Sequence, residues 1–296
     1  METSKKEKIV RSSIGALLAI FLFFSPGLRI PGLDNIADDY FSESITKAAV
    51  VYATCRVINA SVSIAKESTL NLEPAGVGIT LAVGQALDPI DDMTERVSDL
   101  LVTAITSLGV QKLAFEIGVS IAPRILALFL LILSILTWFE NEQLSSIKKT
   151  TMSFIILIMV ARLALPISAL ASNYIQENFL GEKISNANKE LLVGSTELDK
   201  LMEFSVPEVN GVLGTIKNNA SFIQRKTVEF KDAIVATVSN AGTIVEALLK
   251  LTFLYVGVFI IQVIALPIMV FWLLVKFANS LFETNFRTIV KTNFEY

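Results

Sequence analysis

The chain has 296 residues, 53% hydrophobic and only 18% charged, with a net charge of -3 and no histidine. Its mean hydropathy is +0.61, whereas soluble domains carry about a quarter charged residues. Together with several long uncharged runs, this composition points to an integral membrane protein. No long basic tract is present, which argues against nucleic acid as a partner.

The lone cysteine, Cys55, rules out an intramolecular disulfide within the chain. Without histidine or a second cysteine, zinc, haem and iron–sulfur sites lose their usual ligands, and a Ser-His or Cys-His nucleophile is excluded. No Walker loop, Rossmann glycine fingerprint or carboxylate pair within an apolar run is present. The expectation is a non-enzyme with no cofactor and no metal.

Residues 1–11 form a basic start with Lys5, Lys6, Lys8 and Arg11. The apolar run 12–28 follows and is read as a first span, closed by Pro26-Gly27. FFSPGLRI lacks the small-x-small pattern of a cleavage site, so the run reads as an uncleaved signal anchor. Segment 29–116 carries 12 acids against 5 bases between Ile30 and Glu116. Within it, Ala48–Ala65 is apolar enough to suggest a rival span, but Arg56 and Asn59 lie at its centre. The uncharged run Pro74–Leu87 has the length of a re-entrant or surface-skimming loop. Thr94–Leu113 places Val97, Leu100, Leu101, Ala104, Ile105 and Leu108 on one helical face.

The second span is 117–139, interrupted by Arg124. A loop, 140–150, carries Lys148 and Lys149 and leads to a third span, 151–173, interrupted by Arg162. A central arginine costs about 2.5–3.5 kcal/mol on the insertion scale. The apolar residues around Arg162 return roughly 3–6 kcal/mol on the same scale, so the span inserts. Segment 174–250 is again acidic, with 10 acids against 7 bases between Tyr174 and Glu246, and carries weaker amphipathic stripes at Ile184–Met202, Val212–Ile223 and Val228–Leu249. Its Pro207 and Gly211 mark a turn. The last of these helices runs without a breaker into the fourth span, 251–275, which precedes a tail, 276–296, with Lys276, Arg287 and Lys291.

The expected architecture is therefore an all-α integral membrane protein with four transmembrane helices and two long insertions forming a helical extracytoplasmic domain. Basic residues flank the spans on one side, so both termini are expected in the cytoplasm, at the cell membrane (the inner membrane of a bacterium). The halves echo each other: Asn35–Ala48 resembles Asn173–Ala187, Asp99–Gly109 resembles Asp232–Gly242, and Lys112–Val119 resembles Lys250–Val258. A tandem duplication or a chance match of Ala- and Val-rich helices would each give this echo.

The candidate site is a set of polar side chains within the spans. Counted along ideal helices, Arg124 falls ~10 Å below the outer ends, and Arg162 and Gln262 both fall at ~16 Å. No Asp or Glu lies within these spans. Pro166 and Pro267 free the carbonyls of Arg162 and Val263 from their helical hydrogen bonds. The set reads either as an anion or lipid-phosphate site, or as Arg124 snorkelling to the outer headgroups and Arg162 bonding to Gln262 and the freed carbonyls as structural glue between helices. Two functions follow. One is a protein whose extracytoplasmic helices self-associate or bind a membrane partner. The other is an anion-permeating channel or transporter using the intramembrane arginines.

Overall fold

A computed structural model of the chain describes residues 2–25, 27–71, 77–139, 142–205 and 219–282. All the regular structure among these residues is helical. The α-helices are α1 (Glu2–Phe24), α2 (Leu33–Asn71), α3 (Val77–Leu136), α4 (Glu142–Ile175), α5 (Gly181–Ser205), α6 (Asn219–Val258) and α7 (Leu266–Phe282). Two π-helical stretches, Gln176–Leu180 and Phe259–Ala265, join α4 to α5 and α6 to α7. The expected continuous helix leading into the fourth span is thus present, with the π-helical stretch inside it. The expected turn at Pro207 and Gly211, residues Pro74–Gly76 of the Gly-containing run, and the tail's Arg287 and Lys291 lie outside the described residues. From Val77 onward that run belongs to α3, so its backbone is helical.

Four helices are long and apolar enough to cross a membrane: Leu33–Lys66, Gln85–Leu136, Leu144–Val193 and Val235–Ser280. The last two contain the third and fourth expected spans, and Gln85–Leu136 covers residues 117–136 of the second, 117–139. The first expected span, 12–28, falls instead on a shorter apolar helix, Ile9–Phe24. Gly27 and Gly32, which both adopt positive φ, +74° and +82°, turn the chain between this helix and α2. The remaining long helix, Leu33–Lys66, contains the rival run Ala48–Ala65.

The chain divides into two compact units. Unit 1 comprises Met1–Glu43, Ser107–Tyr174 and Ile260–Tyr296; unit 2 comprises Ser44–Thr106 and Ile175–Phe259. The core of unit 2 draws on four helices. On α2, Ala48, Val51, Cys55, Ile58, Val62 and Ala65 are buried at alternating spacings of three and four. On α3, Leu87, Ile90, Thr94, Val97, Leu101 and Ala104 continue the same rhythm. That is the heptad seam of helices packed side by side. From α5 come Ile184, Ala187 and Leu191; from α6 come Ile244, Leu248, Leu251, Tyr255 and Val258. The apolar stripes therefore cover one another. The buried hydroxyls of Ser61 and Thr237 satisfy themselves on carbonyls one turn back, Val57 at 2.9 Å and Ala233 at 2.8 Å.

Unit 1 has a different grain. Leu17, Phe21, Phe24, Leu128, Ile135, Ile268, Trp272 and Phe277 all point outward. Inside, α1 meets α3 through small polar residues. Ser134 Oγ donates to the Ser12 carbonyl at 2.6 Å, and the Trp138 indole N–H donates to Ser12 Oγ at 2.7 Å. Phe129 of α3 stacks on Phe154 of α4 with centroids 5.5 Å apart. Ile156 and Val160 of α4 pack against Ala278, Leu274 and Val275 of α7.

Candidate functional site

Unit 1 holds a buried ion pair. Asp34, in the first turn of α2, is fully buried, and the Arg162 side chain on α4 is 7% exposed. Arg162 Nη1 donates to Asp34 Oδ1 at 3.0 Å and Nη2 to Oδ2 at 2.5 Å. This two-point geometry suits a guanidinium better than any other cation. Asp34 is itself fixed by the turn that precedes its helix. Its Oδ2 accepts the Ile30 N–H at 2.6 Å, while its own N–H donates to the Ile30 carbonyl at 3.1 Å. The Phe115 ring lies 6.0 Å from the guanidinium carbon, a cation–π contact from α3. Gly118, one turn further on, leaves room for the Arg162 stem: a Cβ there would sit 3.9 Å from Arg162 Cδ.

A second buried cluster surrounds Gln262, in the π-helical stretch Phe259–Ala265. Its Oε1 accepts the Tyr40 hydroxyl at 3.0 Å, and its Nε2 donates to the Ser172 carbonyl at 3.4 Å. Next to it, Gln111 Nε2 of α3 donates to the Val263 carbonyl at 2.7 Å. That is the carbonyl Pro267 deprives of its helical partner. The α-helix relaxes into a π-helical stretch at this point, a known accommodation of an interrupted ladder. Asp38 of α2 pairs both with Arg29, in the connection before α2, at 3.1 Å and with Lys112 of α3 at 3.3 Å.

The three residues singled out in the sequence are not brought together. Arg162 bonds to Asp34 and Gln262 to Tyr40. On α4, Arg162 and the Ser172 carbonyl that Gln262 reaches are ten residues apart, ~15 Å along the helix. The expected common depth therefore fails, because counting from span ends assumed that the spans begin level. Arg124 is exposed on α3, while Arg162 is turned inward. Asp34, Tyr40 and Gln111 are the residues the sequence reading missed, having assigned all three to an extracytoplasmic segment. The available signal for Asp34 was an acid in the first turn of a helix just after a glycine turn.

Chemically, the arrangement holds helices together. An incoming anion would have to displace a carboxylate that already takes two hydrogen bonds from Arg162. Among the described residues no group of three or more Cys, Asp or Glu side chains is placed to hold a metal ion. No protein-family model, curated protein or solved structure matches the chain.

Proposed function

We propose that this is a non-enzymatic multi-pass membrane protein whose extracytoplasmic helical unit mediates self-assembly or binding of a membrane partner. The observation that carries this reading is the Arg162–Asp34 pair. The buried Arg162 charge is already paired, through two hydrogen bonds, with the Asp34 carboxylate within the fold, as a structural clamp would be. A charge lining an anion path would instead be left facing water.

Other features support the same reading. Unit 1 presents apolar side chains outward, as lipid-facing surface does. Its members, 1–43, 107–174 and 260–296, take in the expected spans except residues 251–259, together with 29–43 and 107–116 of the first acidic insertion, and unit 2 holds most of both insertions. We therefore take unit 2 to be extracytoplasmic and both termini to be cytoplasmic, at the cell membrane. We also read the two halves as copies of one another. Paired positions share their environment: Val102 and Val235 are exposed, while Ala104 and Thr237 are buried.

Reconstitution of the purified chain into liposomes tests the function. The expected result is chloride flux no greater than in protein-free vesicles, together with a defined oligomer or a captured membrane partner. Flux that falls on Arg124→Gln substitution would establish the channel reading instead.

A further inference from the structure

Arg124 is exposed on α3, and the neighbours on its face are Ile117, Ile121, Ile125 and Leu128, all exposed as well. It lies twelve residues from the end of α3 at Leu136, ~18 Å along the helix, well inside the apolar band. A second exposed cation lies near the same height. Phe129 stacks on Phe154, which sets the register of α3 on α4. Ile156 and Val160 pack on Leu274, Val275 and Ala278, which sets the register of α7 on α4. Carried through α4, Arg124 and Lys276 fall within about one helical turn of each other. Lys276 Nζ is held 5.1 Å from the centroid of the exposed Trp272 ring, an arrangement suited to the headgroup region of a bilayer.

Two exposed cations on otherwise apolar helices require a counter-charge that can reach them. A second observation bears on how. The apolar part of α1, Ile9–Phe24, extends ~24 Å, short of the ~30 Å hydrocarbon thickness of a typical bilayer. A bilayer drawn thin around unit 1 would match α1 and would bring phosphates within reach of Arg124 and Lys276.

We propose that unit 1 binds phospholipid headgroup phosphates through Arg124 and Lys276 in a locally thinned bilayer. This inference rests on the membrane reading of unit 1 given above. The test begins with flotation of the full chain on vesicles of palmitoyl-oleoyl phosphatidylglycerol and phosphatidylcholine, followed by mild extraction and native mass spectrometry. The wild type is expected to retain phospholipid. The Arg124→Gln/Lys276→Gln double variant should retain at least three-fold less, with Arg124→Lys keeping most of it. Unchanged helicity by circular dichroism shows that the double variant is folded. In vesicles of increasing acyl length, the wild type should be most heat-stable in shorter chains, and the double variant should shift toward longer ones.

Equal lipid retention in floated wild type and double variant would overturn the proposal while leaving the membrane reading intact. So would displacement of the lipid by millimolar inorganic phosphate, or an absent thickness shift. Disulfide dimers of Arg124→Cys in a Cys55→Ala background would show that a second copy covers this face, and would overturn it too. Failure of the wild type to float would remove both readings.

Discussion

The two units solve opposite problems with the same element. In unit 2, apolar side chains pack inward along heptad seams, while the exposed surface mixes charged Lys189, Glu190 and Lys250 with apolar Phe179, Val193 and Phe253; Lys250 meets Glu190 at 2.8 Å. In unit 1, large apolar side chains face outward and the polar contacts lie inside: Ser12 on Ser134, Tyr40 on Gln262, Arg162 on Asp34. In the proposed placement, water drives the first arrangement, since burying apolar surface is favourable only relative to water. Where lipid replaces water, apolar burial gains little, and helices associate through close packing and interhelical polar contacts. The contrast teaches that hydropathy alone does not tell the units apart, because both are rich in apolar helix. What differs is the interior, an apolar seam in unit 2 and buried polar contacts with an ion pair in unit 1.

Single substitutions should sharpen that contrast. The largest effect is expected from Arg162→Ala, which leaves Asp34 as an uncompensated buried charge at about 3–5 kcal/mol. Its measure is the loss of thermal stability in detergent, and Asp34→Leu combined with Arg162→Leu should restore most of it. If the single and double variants lost equally, the pair would not be the clamp described. In unit 2, Leu248→Ala, at a fully buried position, should cost about 2–5 kcal/mol through the cavity it leaves. Denaturant unfolding of a chain whose stability did not change would show that the seam is not a packed core. Gln111→Leu should cost about 1–3 kcal/mol, because the Val263 carbonyl beside Pro267 is left without its donor. Hydrogen exchange around Val263 should rise in that variant. Smallest of all, Val193→Ser on the exposed surface of unit 2 should stay within about 0.5 kcal/mol.

Much of this fold was legible in the sequence. Arg124, Arg162 and Gln262 mark the polar positions, and Pro267 marked the Val263 carbonyl as one that would need a donor. The continuity of α6 with the fourth span was legible because no breaker separates them. The role of Ala48–Ala65 was less so: its Ala, Ser and Thr lower its contrast, yet its buried residues fall at spacings of three and four. The partner choices of Arg162 and Gln262 were not legible. They depend on the relative heights of helices α2, α3 and α4, and those heights are set by the turn Leu28–Gly32 and by the register of Phe129 on Phe154. No local periodicity encodes such an offset. Cys55 carries a related lesson. Its thiol is fully buried in the unit 2 core, so its reactivity in the folded protein reports packing rather than sidedness.

The central claim is that unit 1 lies in the bilayer and unit 2 lies in water across the membrane from the termini. Two engineered thiols in a Cys55→Ala background test it most directly: Val193→Cys, whose parent residue is 76% exposed in unit 2, and Leu128→Cys, whose parent is 57% exposed in unit 1. With a membrane-impermeant maleimide on intact cells, Val193→Cys is expected to label and Leu128→Cys to stay unlabelled even after permeabilisation. Labelling of Val193→Cys only after permeabilisation, or ready labelling of Leu128→Cys, would contradict the account.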